Sequence, residues 1–128
     1  MSRRIILTAS LSGAIAVIFG AFGAHSLKQV LDTAGLEIWA KGVEYQFYHT
    51  FALLFLSLLA TGSDKLLKWS YVFFTLGIVF FSGSLYLLAT RKLLNIGFLD
   101  YIGPVTPVGG LCFILGWILL FVSASKSK

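Results

Sequence analysis

The sequence predicts an all-α integral membrane protein, a four-helix bundle with an interfacial amphipathic helix between its first and second spans. Three observations predict it. The 128 residues are 58% hydrophobic and 12% charged, whereas soluble domains carry about 25% charged residues and, at this size, leave too much surface exposed to hide so much apolar material. Apolar runs follow one another at about 5–24, 45–60, 69–90 and 107–122. The basic residues behind the net charge of +5 stand at the ends of those runs, so they read as topology markers facing anionic headgroups, not as a nucleic-acid footprint. The chain is expected to form one membrane domain, 1–128.

Met1-Ser2-Arg3-Arg4 is a short basic start, and Ile5 to Ala24 carries no charge. A helical run of about 20 residues rises roughly 30 Å, the thickness of the hydrocarbon core. It exceeds the apolar stretch of a signal peptide, so it is read as a retained span. Ala9, Ser12, Gly13, Ala16, Gly20, Gly23 and Ala24 share one face of this helix. Such small-residue ridges let backbones approach closely in lipid. Packing within the chain is expected here, with homodimerisation the alternative.

His25 to Val43 is the long polar stretch. Leu27, Val30, Leu31, Ala34 and Ile38 recur at helical spacing, which predicts the interfacial helix. Thr33-Ala34-Gly35 is expected to break it, Glu37 and Lys41 to pair at i,i+4, and Trp39 to anchor at the interface. The second span then runs to about Ala60, followed by the polar turn Thr61-Gly62-Ser63-Asp64-Lys65. In the third run Tyr71, Thr75, Ser82, Tyr86, Ala89 and Thr90 share a face that should point into the bundle, because hydroxyls in lipid need partners. Leu93 to Gly103 reads as a loop. Thr106-Pro107 reads as a helix start, with Thr as N-cap and Pro in the first helical position.

Four spans put both termini on one side of the membrane. That side collects Arg3, Arg4, Lys65, Lys68, Lys126 and Lys128 against Asp64; the other has Lys28, Lys41, Arg91 and Lys92 against Asp32, Glu37, Glu44 and Asp100. The positive-inside rule then makes both termini cytoplasmic.

If one helix continues from about Leu36 through the second span, Glu37, Lys41, Glu44 and Tyr48 form one stripe. Gly42, Gln46 and His49 form its neighbour. His49 lies about one turn inside the apolar run, where an ionisable side chain must face other helices or a water-filled cavity. His25 and Arg91 reach the same surface. The candidate site is therefore an outer polar pocket of His25, Glu44, Gln46, His49 and Arg91. The competing and preferred reading is a hydrogen-bonded cluster that fixes helix packing, since buried polar groups must be paired whether or not they do chemistry. The expected partner of His49 is Tyr86, Thr90 or a first-span carbonyl. Two histidines and a carboxylate fall short of a convergent metal site, a haem clamp is not forced by the spacing, and no catalytic motif occurs. Cys112 stands alone and so forms no intrachain disulfide. No catalytic residue, metal or cofactor is expected.

Gly20-Ala21-Phe22-Gly23-Ala24-His25-Ser26-Leu27, Tyr45-Gln46-Phe47-Tyr48-His49, Phe81-Ser82-Gly83-Ser84-Leu85-Tyr86 and Gly103-Pro104-Val105-Thr106-Pro107-Val108-Gly109-Gly110 with Gly116-Trp117 resemble the motifs of the YgdD-like family, small bacterial inner-membrane proteins classed as domain of unknown function 423. The likeness covers nearly the whole chain; Ser26 stands where the family often has Gly. It implies a multi-pass protein of the plasma membrane and no particular activity. The functional expectation is a non-enzymatic protein that binds membrane lipids or another membrane protein, with a homo-oligomer as a further possibility and no nucleic-acid partner. The alternative is a small transporter or channel component with a polar site around His49.

Overall fold

Asp32 starts the longest helix. Its backbone is extended, and its carboxylate accepts the Gly35 N–H at 2.8 Å, satisfying one of the donors a helix start leaves free. The computed structural model describes residues 1–60 and 62–126; Thr61 of the predicted turn and Lys128 of the charge count lie outside them. All regular elements among the described residues are helical. They are α1 (Ser2–Ala24), α2 (Thr33–Leu59), α3 (Lys65–Gly77), α4 (Gly83–Ala89), α5 (Arg91–Leu94) and α6 (Val105–Lys126), with 3-10 turns at Leu27–Gln29 and Gly97–Tyr101.

The stretch expected to form a separate interfacial helix does not stand apart. Residues 33–43 are the first turns of α2 and run without a break into the second apolar segment. The interruption falls earlier, between the 3-10 turn and Asp32. Gly35, expected as a breaker, is instead held by the cap. Trp39, expected at the interface, is 7% exposed. Its indole donates to the Phe19 carbonyl at 2.8 Å, and its ring lies 4.7 Å from that of Tyr86. Lys41 pairs with Glu44 at 3.1 Å, and not with Glu37.

The third segment is one continuous rod from Lys65 to Ala89, widened into a π-helical turn at Ile78–Ser82. Gly109 of α6 meets this turn backbone to backbone, and a Cβ there would overlap the main chain of Phe80 and Phe81. A π turn in the middle of a helix commonly marks such a special contact. The expected inward stripe of this rod holds: Ser82, Tyr86 and Ala89 are buried and Tyr71 and Thr75 half-buried. Thr106 is not an N-cap, because α6 already begins at Val105. Its hydroxyl crosses instead to Ser84 Oγ at 2.7 Å.

α1 packs along α2, and α3 along α6, while α2 also packs against α4 and the π turn. Contacts such as Gly13 with Thr50 and Gly20 with Val43 show that α1 and α2 are antiparallel, and their interface is the small-residue ridge the sequence predicts. Between α3 and α6 two phenylalanines interlock. Phe113 fills the space over Gly77, and Phe74 fills the space over Gly116. Ile5, Ala9, Leu53, Leu56, Phe74, Phe113 and Leu120 form the main core; Leu27, Trp39, Tyr86 and Ala89 form a second one toward the other end. Leu7, Leu11, Phe55, Leu58, Ile118 and Phe121 point outward. An apolar outer surface around an internally paired backbone is what lipid demands. Three helical stretches, Ser2–Gln29, Lys65–Ala89 and Val105–Lys126, are long and apolar enough to cross a membrane.

Candidate functional site

The polar residues of α2 separate into two groups. Gln46, His49 and Thr50 turn into the protein and are buried, whereas Glu44 and Tyr48 stay on its outer side. This follows from helical geometry, since 46, 49 and 50 share a face while 44 and 48 share another.

Gln46 joins three helices. Its Nε2 donates to the Ser12 carbonyl of α1 at 2.8 Å, and its Oε1 accepts the Tyr86 hydroxyl of α4 at 2.6 Å. Tyr86 and the first-span carbonyl expected for His49 are therefore the partners of Gln46, while the Thr90 hydroxyl donates to the Tyr86 carbonyl. His49 turns the other way, toward α6. Its Nδ1 lies 2.8 Å from the Tyr45 carbonyl, and its Nε2 accepts the Trp117 indole N–H at 3.1 Å. The imidazole lies flat on Phe113, with centroids 3.5 Å apart and planes at 8°. Around these two residues Ser12 and Thr50 share a 2.7 Å bond, and Ser82 donates to the Gly42 carbonyl at 2.7 Å. Among the described residues no buried side-chain nitrogen or oxygen lacks a partner.

Glu44 sits just outside the second apolar run. It accepts from Tyr48 at 2.5 Å and Lys41 at 3.1 Å. The Tyr48 hydroxyl first, and the Lys41 ammonium after it, hold its carboxyl below the usual carboxylate range. His25 follows the last turn of α1 and is exposed, as is Arg91 at the start of α5. No hydrogen bond or ion pair among the described residues links any two of His25, Glu44, Gln46, His49 and Arg91. The five do not converge, and His49 packs against Phe113 and Phe74 of the main core. No group of three His, Cys, Asp or Glu side chains among the described residues is placed to hold a metal ion.

The sequence reading missed Ser12 and Trp117 as the partners that orient Gln46 and His49. A signal for Ser12 was present, because it lies on the small-residue face that packs against α2. Trp117 had none beyond its place beside Gly116, since it is 48% exposed and reaches His49 only with its ring edge.

The arrangement does not point to a reaction, so comparison with known proteins bears on what the chain is. A family model described as a protein of unknown function, DUF423, matches residues 19–110. The chain belongs to this family. It is similar to the UPF0382 inner membrane protein YgdD of Escherichia coli (strain K12), 41% identical over 128 residues that cover 99% of this chain and 93% of that protein. It is also similar to a UPF0382 membrane protein of Staphylococcus haemolyticus, 37% identical over 124 residues that cover 97% of each chain. No solved structure matches. With its candidate spans, this member of the DUF423 family is a membrane protein. The motif segments that carry the resemblance supply Gly20 and Gly23 of the α1–α2 contact, Gln46, His49, Tyr86 and Trp117 of the polar cluster, and Gly109 at the π turn.

Proposed function

We propose that the protein is a non-enzymatic, multi-pass protein of the bacterial plasma (inner) membrane. In this reading it crosses four times as a helix bundle, keeps both termini in the cytoplasm and holds lipid against its side. One observation carries it. The central polar side chains are committed to fixed partners, and a ligand-sized space lies instead in an apolar groove of about 550 Å³ open to the side, lined by Phe19, Phe22, Trp39, Tyr86, Leu87 and Leu94. A groove with almost no polar lining, on a protein surrounded by acyl chains, suits a hydrocarbon chain better than a polar substrate. A transporter or channel component around His49 would need a continuous polar path, and both ends of the Gln46 and His49 side chains are already bonded to helices.

The fourth crossing would be α2. Its 27 residues rise about 40 Å. The polar residues that dilute its apolarity, Gln46, His49, Thr50 and Ser57, are buried within the protein, whereas its outward residues Phe51, Leu54, Phe55 and Leu58 are apolar. The turns 33–43, with Glu37 and Lys41, would then lie at headgroup level. Relatives named as inner membrane proteins support the location, and the charge asymmetry supports the orientation.

Reporter fusions after Lys126 and near Asp64 test the topology; periplasmic activity at either position overturns it. Native mass spectrometry from lipid nanodiscs tests the groove. Leu87→Trp fills it and should lower the number of retained phospholipids, and an unchanged number overturns the groove reading.

A further inference from the structure

At the other end of the molecule, the N-terminal turns of α1 and α3 stand apart. A cleft of about 600 Å³ lies between them, lined by Arg4 on one side, Lys65 and Lys68 on the other, and Tyr71 and Val72 toward the apolar zone. The two helices are tied by a single side-chain bond, Thr8 Oγ1 to Tyr71 Oη at 2.9 Å, one turn further along each helix from Arg4 and Lys68. Among the described residues none of Arg4, Lys65 and Lys68 forms an ion pair. The acid in the lining, Asp64, is already used. Its Oδ1 accepts the Leu66 N–H at 2.8 Å and its Oδ2 accepts the Ser123 hydroxyl. Both donors are neutral and leave its charge in place, so the cleft presents three cationic side chains from two helices against one carboxylate.

We propose that this cleft binds an anionic phospholipid, with the headgroup phosphate between Arg4 and the Lys65–Lys68 side and an acyl chain running down past Tyr71 and Val72. The position argues for a lipid and not a free anion. Both flanking helices belong to candidate membrane spans that begin here, so the basic groups lie at headgroup depth and the apolar wall continues below them. Basic pockets between spans on the cytoplasmic side recognise anionic headgroups by this combination. An arginine on one wall adds a planar fork that matches phosphate oxygens. The site is separate from the apolar groove at the opposite end and does not depend on it.

The test uses the full chain in phosphatidylcholine nanodiscs containing a minority of phosphatidylglycerol, with bound lipids read by native mass spectrometry. Phosphatidylglycerol should be enriched on the protein. Arg4→Gln with Lys68→Gln should reduce that enrichment roughly 25-fold, since each basic residue near a membrane surface is worth about fivefold. Lys28→Gln with Lys92→Gln removes the same charge at the other end and should leave the enrichment unchanged. Arg4→Lys with Lys68→Arg should retain most of it, which separates lost binding from lost folding. Equal enrichment in the Arg4/Lys68 glutamine variant and the parent overturns the proposal. So does an equal loss in the Lys28/Lys92 variant, which would reduce the effect to net charge. Full displacement of phosphatidylglycerol by inorganic phosphate would make the cleft a free-anion site and overturn the assignment to lipid.

Discussion

The indole N–H of Trp117 donates to Nε2 of His49 at 3.1 Å, and this bond settles the state of the imidazole. An indole can only donate, so Nε2 must accept and Nδ1 must carry the hydrogen given to the Tyr45 carbonyl. His49 is thereby held as one neutral tautomer, with its face on Phe113. That is the environment of a packing residue. Trp117→Phe leaves Nε2 without its donor and is expected to cost about 1–3 kcal/mol. His49→Leu should cost a similar amount. His49→Gln should cost less, because an amide supplies both a donor and an acceptor. Unfolding of each variant in mixed micelles measures this, and parental stability in Trp117→Phe would show that the bond carries no weight.

Gln46 and Tyr86 should be energetically coupled. Tyr86→Phe, Gln46→Leu and the double variant form a cycle around their 2.6 Å bond. Side-chain hydrogen bonds between membrane helices average about 0.6 kcal/mol in such cycles and reach about 1.7. A value in that range is expected, at the upper end because both groups are buried. Strict additivity would mean that Ser12 alone holds Gln46.

Glycines on the helix interfaces should differ sharply. A Cβ on Gly109 would fall on the main chain of Phe81, which has nowhere to go. Gly109→Ala is therefore expected to destabilise by at least the 1–3 kcal/mol that is typical of overpacking (about that range in well-packed cores). A Cβ on Gly20 would lie 3.5 Å from a Val43 methyl, an ordinary contact. Gly20→Ala should be close to neutral, while Gly20→Leu should force α1 from α2. Comparable losses in the two alanine variants, read by thermal unfolding in detergent, would contradict this geometry.

Asp64 gives the protein an acid-sensitive joint. The Ser123 hydroxyl first, and the Leu66 N–H after it, hold its carboxyl below its ordinary value of 3.8. A depressed carboxylate contributes stability that is complete above the unfolded value and is lost as pH falls through the folded one. The loss should therefore appear below pH 3.8, where protonation weakens both the cap of α3 and its tie to α6. Ser123→Ala should flatten the pH dependence of unfolding in that window. An unchanged slope in the variant would show that the bond to Ser123 does not set the shift.

Membrane residence, the helical class and the inward face of each apolar helix were legible in the residues themselves, because they depend on composition and on local period. The small ridge from Ala9 to Gly23 and the stripe from Tyr71 to Tyr86 are of this kind. So was the burial of His49, since an ionisable group inside an apolar run must turn inward. What the sequence could not decide was which neighbour each inward group meets. Gln46 and His49 are three residues apart and differ by about 60° around the helix, and that angle sends one to Ser12 and Tyr86 and the other to Trp117. The continuity of α2 through Gly35 was equally hidden. That glycine reads as a break until a capping Asp32 supplies its reason to be there. The π turn opposite Gly109, the burial of Trp39 and the cleft between Arg4 and Lys68 all arise where two helices meet. Local period fixes a side chain's direction from its own axis; only the packing of the second helix fixes what stands in that direction.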